Sequence, residues 1–86
     1  MARVVFTSNL MRHVDCPPVD VEGRTVRDLL AKIFTENPRL KSYVVDEQFG
    51  LRRHMGIIVD GEIVKDRNRL SDPVESSSEV FVLQAL

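Results

Sequence analysis

The residues best equipped for chemistry are one cysteine and two histidines, and their spacing supports neither a metal site nor a catalytic pair. Cys16 stands three positions after His13, and the other histidine is His54. A structural zinc site needs four ligands of this kind, and a nucleophilic pair needs a third group that orients its base. We therefore expect a plain loop thiol and a solvated histidine, with no catalytic residue, no metal site and no cofactor.

Acidic side chains occur in pairs, the pattern that general acid–base catalysis would require. Two catalytic carboxylates need surroundings that separate their pKa values, and each pair here stands in a predicted turn or at a predicted strand end. The pattern therefore favours turn formation and solubility over catalysis. The pairs are Asp46 with Glu47, Asp60 with Glu62, and Glu75 with Glu79.

Basic side chains are concentrated in two short runs, residues 52–54 and the set Lys65, Arg67 and Arg69. Such runs are usually solvated faces. The functional alternative is contact with an acidic partner surface, which raises the association rate more than the affinity. Nucleic-acid binding is not expected, because the formal net charge is −1 and the chain has no Trp and one Tyr.

A helix over residues 25–38 is the element around which the fold must form. Thr25 is a suitable N-cap, Asp28 stands where a capping box places its acid, and the proline after Asn37 ends the helix. Everything else is typical of strands and turns, so the helix should pack on a sheet. Its apolar residues follow the spacing of one helix face: Val26, Leu29, Leu30, Ile33 and Phe34.

The rest of the chain predicts the strands of that sheet. Asp60-Gly61 is the strongest turn signal, Leu70 and Val74 should anchor a polar loop, and residues 39–54 form a long connection with a short helical turn. This order predicts an α+β, β-grasp (ubiquitin-like) fold in one domain over residues 1–86. Its mixed sheet has four to five strands, with one main helix across one face. The strands are expected at residues 2–7, 19–21, 55–59, 62–64 and 79–86.

The composition is typical of a soluble globular protein, since 43% of the residues are apolar. A single cysteine cannot form an internal disulfide, which indicates a reducing compartment. No apolar run approaches the roughly 18 residues that span a membrane, and no signal peptide is visible. We therefore expect a cytoplasmic protein with no membrane partner.

Three segments in this order and spacing resemble the MoaD/ThiS family of sulfur-carrier proteins, which serve molybdopterin and thiamine biosynthesis. They are residues 21–30 (VEGRTVRDLL), 51–64 (LRRHMGIIVDGEIV) and 79–86 (EVFVLQAL). The resemblance implies a carrier and not an enzyme. A partner adenylating (E1-like) enzyme would activate the C-terminal carboxylate with ATP. The carboxylate would become a thiocarboxylate and donate its sulfur to an acceptor enzyme, such as a synthase large subunit.

The C-terminus is where the sequence departs from that family. Family members end in Gly-Gly, since glycine lets the backbone pass a narrow channel without a side-chain clash, whereas this sequence ends Gln84-Ala85-Leu86. Either the natural chain continues to two glycines, or the protein is a tail-less β-grasp interaction module without sulfur-carrier activity. The resemblance places the sulfur-acceptor group at the C-terminal end, at or beyond Leu86.

The last strand also predicts a docking surface, because its two faces are both apolar. If Val80 and Val82 face the helix, the residues between them face a side that no second helix covers. An exposed apolar patch usually marks an interaction site, and the resembling family docks its partners with this face. The alternatives are that residues 39–54 cover the patch or that two chains pair through it. The expected partner-binding residues are Ile58, Phe81, Leu83, Ala85 and Leu86.

Overall fold

The computed structural model describes residues 1–7 and 17–84, and this part of the chain contains five strands and two helices. The predicted partner-binding residues Ala85 and Leu86 lie outside the described residues, as do His13 and Cys16, for which a solvated histidine and a plain loop thiol are expected. The strands are β1 (Ala2–Phe6), β2 (Val19–Val21), β3 (Met55–Val59), β4 (Glu62–Ile63) and β5 (Glu79–Gln84). The helices are α1 (Val26–Glu36) and α2 (Pro38–Val44).

The five strands form one mixed sheet in the order β2-β1-β5-β3-β4. Strands β1 and β5 pair in parallel at its centre, from Arg3 opposite Glu79 to Phe6 opposite Val82. The β1–β2, β3–β5 and β3–β4 pairs are all antiparallel. The predicted β-grasp fold is confirmed: β1 and β2 form a hairpin, and β5 lies at the centre of a mixed sheet of five strands.

One apolar core joins α1 to one face of the sheet. Along β1, Val4 and Phe6 are buried, whereas Arg3 is exposed and Val5 is half-buried. One face of this strand therefore packs in the core and the other faces away from it. The same core contains five residues of α1 and four inward-facing residues of β3 and β5, which are Val26, Leu29, Leu30, Ile33, Phe34, Met55, Ile57, Val80 and Val82.

Two hydrogen bonds fix the start of α1, one made by the Thr25 side chain and one by the Asp28 side chain. Thr25 Oγ1 accepts a hydrogen bond from the backbone N–H of Asp28 at 3.2 Å, and the Asp28 carboxylate accepts one from the N–H of Arg24 at 3.1 Å. In a capping box the acid binds the N–H of the N-cap residue itself, so the carboxylate here reaches one residue further back. The first contact satisfies an N–H group that the helix leaves without a partner, and the second holds the residue before the N-cap against the helix.

The chain after α1 contains more helix than the predicted short turn. Asn37 ends α1, and its N–H donates to the Ile33 carbonyl at 2.9 Å. Pro38 then begins the seven-residue helix α2, whose Leu40 and Val44 are buried. A proline ends the helix that precedes it, but it is also favoured in the first turn of the next helix. The predicted short helical turn took only the first of these properties into account.

The turn between β3 and β4 ties this hairpin to β5. Asp60 and Gly61 have φ angles of 49° and 86°, the left-handed conformations that a type I′ turn requires at both central positions. The Asp60 carboxylate accepts hydrogen bonds from the Glu79 N–H at 2.9 Å and the Ser78 hydroxyl at 2.8 Å. Led by the Glu79 bond, these contacts lower the pKa of Asp60.

Replacing Leu30 tests the packing of α1 on the sheet. Leu30 has no exposed surface, so Leu30→Ala should lower the free energy of unfolding by about 2–5 kcal/mol. The control is Thr35→Ala, an exposed position of the same helix, which should change it by no more than about 0.5 kcal/mol. Both are measured by urea denaturation. A Leu30→Ala midpoint equal to that of the unaltered protein would contradict this packing.

Acid titration tests the role of Asp60. Because its pKa is lowered in the folded protein, the stability that it contributes is present above its unfolded pKa of about 3.9 and is lost as the pH falls through the folded value. Asp60→Asn should therefore unfold at a lower urea concentration than the unaltered protein at neutral pH. The gap between the two midpoints should shrink below about pH 4. A gap independent of pH would mean that the carboxylate charge plays no part.

Candidate protein-docking site

The sheet face opposite α1 carries an unbroken line of apolar side chains. The register places Val5 of β1 beside Phe81 of β5, Phe81 beside Ile58 of β3, and Ile58 beside Ile63 of β4. Directly opposed residues on neighbouring strands have Cβ atoms about 5 Å apart, so adjacent side chains in this line are neighbours. We call these four residues the apolar row.

The apolar row is accessible to solvent. Phe81 is 36% exposed and Ile63 is 72% exposed, while Val5 and Ile58 are half-buried. Apolar side chains grouped in this way, and not scattered singly, are typical of a surface that binds another protein. The chemistry available here is therefore apolar contact over several strands.

Leu83 extends the apolar row towards the end of β5. It is half-buried and lies opposite Gly56 of β3. A Cβ built on Gly56 would stand 3.5 Å from two carbon atoms of the Leu83 side chain, so Leu83 lies over this glycine. The absence of a side chain at position 56 thus leaves Leu83 as the apolar group at this point of the open face.

The structure brings together three of the predicted partner-binding residues, Ile58, Phe81 and Leu83. Their binding role, like that of Ala85 and Leu86, stays a prediction. Val5 and Ile63 are not among the predicted partner-binding residues. Both lie inside predicted strands, but only the strand register shows that they continue the same line.

The connection over residues 39–54 lies on the α1 side of the sheet. Leu40, Val44, Val45 and Leu51 belong to the core that contains the buried residues of α1. Phe81 keeps its 36% exposure with this connection in place. The alternative in which the connection covers the patch therefore does not describe this structure.

The connection over residues 39–54 contains a turn at residues 46–50 whose backbone is strained at Phe49. Phe49 has a φ angle of 65°, and its ring centroid lies 5.8 Å from that of Phe34 and 4.6 Å from the Arg27 guanidinium carbon. The Asp46 carboxylate accepts hydrogen bonds from the N–H groups of Gly50 and Gln48, both at 2.9 Å, and these bonds lower the pKa of Asp46. This acid therefore stabilises a turn.

Asp66 also stabilises a turn, in the loop that follows β4. Its carboxylate accepts hydrogen bonds from the Ser71 hydroxyl and the Arg69 N–H, and these contacts, led by Ser71, lower its pKa.

Within residues 1–7 and 17–84, no group of three His, Cys, Asp or Glu side chains is arranged to hold a metal ion. No helix in that part of the chain is long and apolar enough to cross a membrane.

The end of β5 lies beside the start of β3. Gln84, the last described residue, pairs with Met55, and Leu83 pairs with Gly56. The chain that follows Gln84 therefore starts from the same end of the open face as Leu83. A partner that covers the apolar row would therefore lie close to Gln84, where the following segment begins.

Substitutions at adjacent positions of β5 test which face is open. Phe81→Asp should remain folded and change the free energy of unfolding by about 1 kcal/mol or less, because position 81 is partly solvated. Its neighbour Val80 has no exposed surface, so Val80→Asp buries a carboxylate without a partner and should abolish cooperative unfolding. Circular dichroism during urea denaturation distinguishes the two. The reverse outcome would mean that the strand faces are exchanged.

Comparison with known proteins places this geometry in a family. The family model described as the ThiS family matches residues 12–86. No match is found among curated proteins. A chain of the Amycolatopsis orientalis BexX/CysO complex superposes with a TM-score of 0.85 at 22% identity, covering 100% of this chain and 97% of that chain.

Two further solved structures share the architecture. Mycobacterium tuberculosis CysO, described as an antigen, has a TM-score of 0.83 at 19% identity, with 100% of both chains covered. SAMP1 from Haloferax volcanii has a TM-score of 0.78 at 22% identity, covering 99% of this chain and 94% of that chain. At these identities the likeness shows the β-grasp fold. Because the family model spans most of the sequence, this chain belongs to the ThiS family.

Proposed function

We propose that this protein is a sulfur carrier that acts through its C-terminal carboxylate and not through a catalytic site of its own. The observation that carries the proposal is the match of the ThiS family model over residues 12–86. An adenylating (E1-like) enzyme activates the carboxylate, and an acceptor enzyme, such as a synthase large subunit, receives the sulfur.

The position of β5 suits this role. It is held by β1 on one side and by β3 on the other, so its backbone is a fixed platform. The same strand contributes Phe81 and Leu83 to the open face and ends at Gln84. A partner bound to that face therefore also fixes where the following segment begins. Extended chain spans about 3.3–3.6 Å per residue, so a few residues suffice to reach a recessed active site.

The proposed chemistry occurs at the terminal carboxylate. A carboxylate oxygen attacks the α-phosphorus of ATP, pyrophosphate leaves, and an acyl-adenylate forms. Sulfide then attacks the acyl carbon, and AMP leaves with the oxygen that had attacked ATP. The product is a thiocarboxylate in which one sulfur has replaced one oxygen. This carrier contributes the terminal group and the docking surface, and its partners contribute the catalytic groups.

The related structures support docking as the mode of action. A chain of this fold is found in a complex that contains BexX. The apolar row of the present chain offers a surface on which such a partner could bury Phe81 and Ile63. That row would serve a tail-less interaction module equally well, so the terminal chemistry decides between the two functions.

Mass measurement on two forms of the chain tests the proposal. One form is the 86-residue chain, and the other carries Gly-Gly after Leu86. Each is incubated with the adenylating enzyme of the same cell, ATP and a sulfur source. The extended form should release AMP and gain about 16 Da, the difference between sulfur and oxygen. The 86-residue form should react poorly, because its terminal leucine is too bulky for a channel that admits glycine.

A third form separates docking from terminal chemistry. The extended chain with Phe81→Asp keeps the reactive end but places a charge in the docking surface, so its activation should fall by about tenfold or more. The extended chain with Thr35→Ala, altered on an exposed position of α1, should react like the unaltered extended form. Absence of both AMP release and mass gain in the extended form would reject the carrier in favour of the interaction module.

A further inference from the structure

The two basic runs of the sequence meet at the start of β3. Arg67 Nη2 donates hydrogen bonds to the backbone carbonyls of Arg52 and Met55, both at 2.8 Å. In return, the N–H of Leu51 donates to the carbonyl of Arg67 at 2.7 Å. These bonds hold residues 65–69 against residues 51–55. We call Arg52, Arg53, Lys65, Arg67 and Arg69 the basic cluster.

The basic cluster makes the charge of the molecule strongly uneven. Residues 52–54 and 65–69, together with Asp72, whose carboxylate accepts from the N–H groups of Lys65 and Asp66, contain five Lys or Arg and two carboxylates, a formal charge of +3. The whole chain carries −1, so the remaining residues carry −4. Such a separation creates a field that orients the molecule as it approaches a charged surface.

Three cations of the cluster, Arg53, Lys65 and Arg69, are available for binding, and the first two share a depression. Arg52 and Arg67 are occupied, since Arg52 Nε donates to the Ser42 carbonyl at 2.7 Å and Arg67 binds the carbonyls named above. The Arg53 and Lys65 side chains are exposed and line one depression of about 580 Å³. Within residues 1–7 and 17–84, neither side chain forms a hydrogen bond or an ion pair.

The basic cluster also stands where the reactive segment begins. Arg53 and His54 immediately precede Met55, which pairs with Gln84 at the end of β5. Any partner that receives the following segment must place the entrance of its active site beside these cations. An entrance rim rich in carboxylates would attract the cluster and repel the acidic remainder of the chain.

We infer that Arg53 and Lys65 form a steering surface that meets an acidic rim around the active-site entrance of the adenylating partner. This inference rests on the proposed function. The surface brings the C-terminal end towards the entrance before the apolar row docks, so it raises the association rate more than it slows dissociation. A nucleic acid is the less suitable occupant, because the residues that line the depression include no aromatic ring on which bases could stack.

Association kinetics of the Gly-Gly-extended chain with the adenylating enzyme test the inference. At about 20 mM salt, Arg53→Glu and Lys65→Glu should each reduce the association rate constant by about tenfold, and at about 300 mM salt by less than about twofold. The dissociation rate constants should change by less than about twofold. Urea denaturation of each variant checks that the fold is retained.

Lys32→Glu is the matched control, because it makes the same change in net charge at a distant place. Lys32 is exposed, donates to the Glu22 carbonyl at 2.6 Å, and belongs to the β2 edge of the molecule, opposite the β3–β4 edge. Its association rate should stay within about twofold of that of the unaltered chain. An equal loss in Lys32→Glu would show that net charge alone is responsible and would overturn the inference.

Further outcomes separate the inference from the function on which it rests. If the extended chain is adenylated but Arg53→Glu and Lys65→Glu associate as fast as it does, the steering surface is rejected and the carrier function stands. If the extended chain neither binds nor reacts, the carrier function fails and the inference fails with it. Binding of a single-stranded oligonucleotide that both substitutions abolish would assign the cluster to nucleic acid instead.

Discussion

The structure depends on one constraint: a sheet has two faces, and the described helices pack on one of them. The described part of the chain has one five-stranded sheet and enough helix to cover one of its faces. Val80 and Val82 are buried under α1, while Phe81 between them is exposed. Full burial of a phenylalanine or leucine side chain is worth about 1.5–3 kcal/mol. Among residues 1–7 and 17–84, Phe81 and Ile63 keep exposed apolar surface, and a partner bound as proposed would add that energy.

Features encoded by neighbouring residues could be predicted from the sequence. The helix over α1 followed from its apolar spacing and its cap, and Thr25 and Asp28 do make capping hydrogen bonds. The Asp60-Gly61 turn followed from the two residues best suited to left-handed backbone conformations. Alternation along β5 correctly separated buried Val80 and Val82 from exposed Phe81. In each case the physical cause lies within a few positions of its effect.

Features that depend on contacts between distant segments could not be predicted in the same way. The apolar row needs the register of four strands, so the contributions of Val5 and Ile63 became visible only in the structure. The basic runs looked like separate solvated segments, because nothing local indicates that Arg67 would bind the carbonyl of Arg52, fifteen positions away. The helix α2 was underestimated because Pro38 satisfies two opposite local rules, and the burial of Leu40 decides between them.

The parallel pairing of β1 with β5 has a consequence for how the protein is made. The first and the last described strands are neighbours in the middle of the sheet, so a nascent chain that has emerged only as far as the loop before β5 lacks its central strand. The β1–β2 hairpin and α1 would then expose their apolar faces, and loop closure over the whole domain must precede stable folding. Completion of the fold must await synthesis of β5 and its emergence from the ribosome. The strand that leads to the proposed reactive end is thus also the strand that closes the fold, and an unfinished chain lacks the β5 residues of the proposed docking surface.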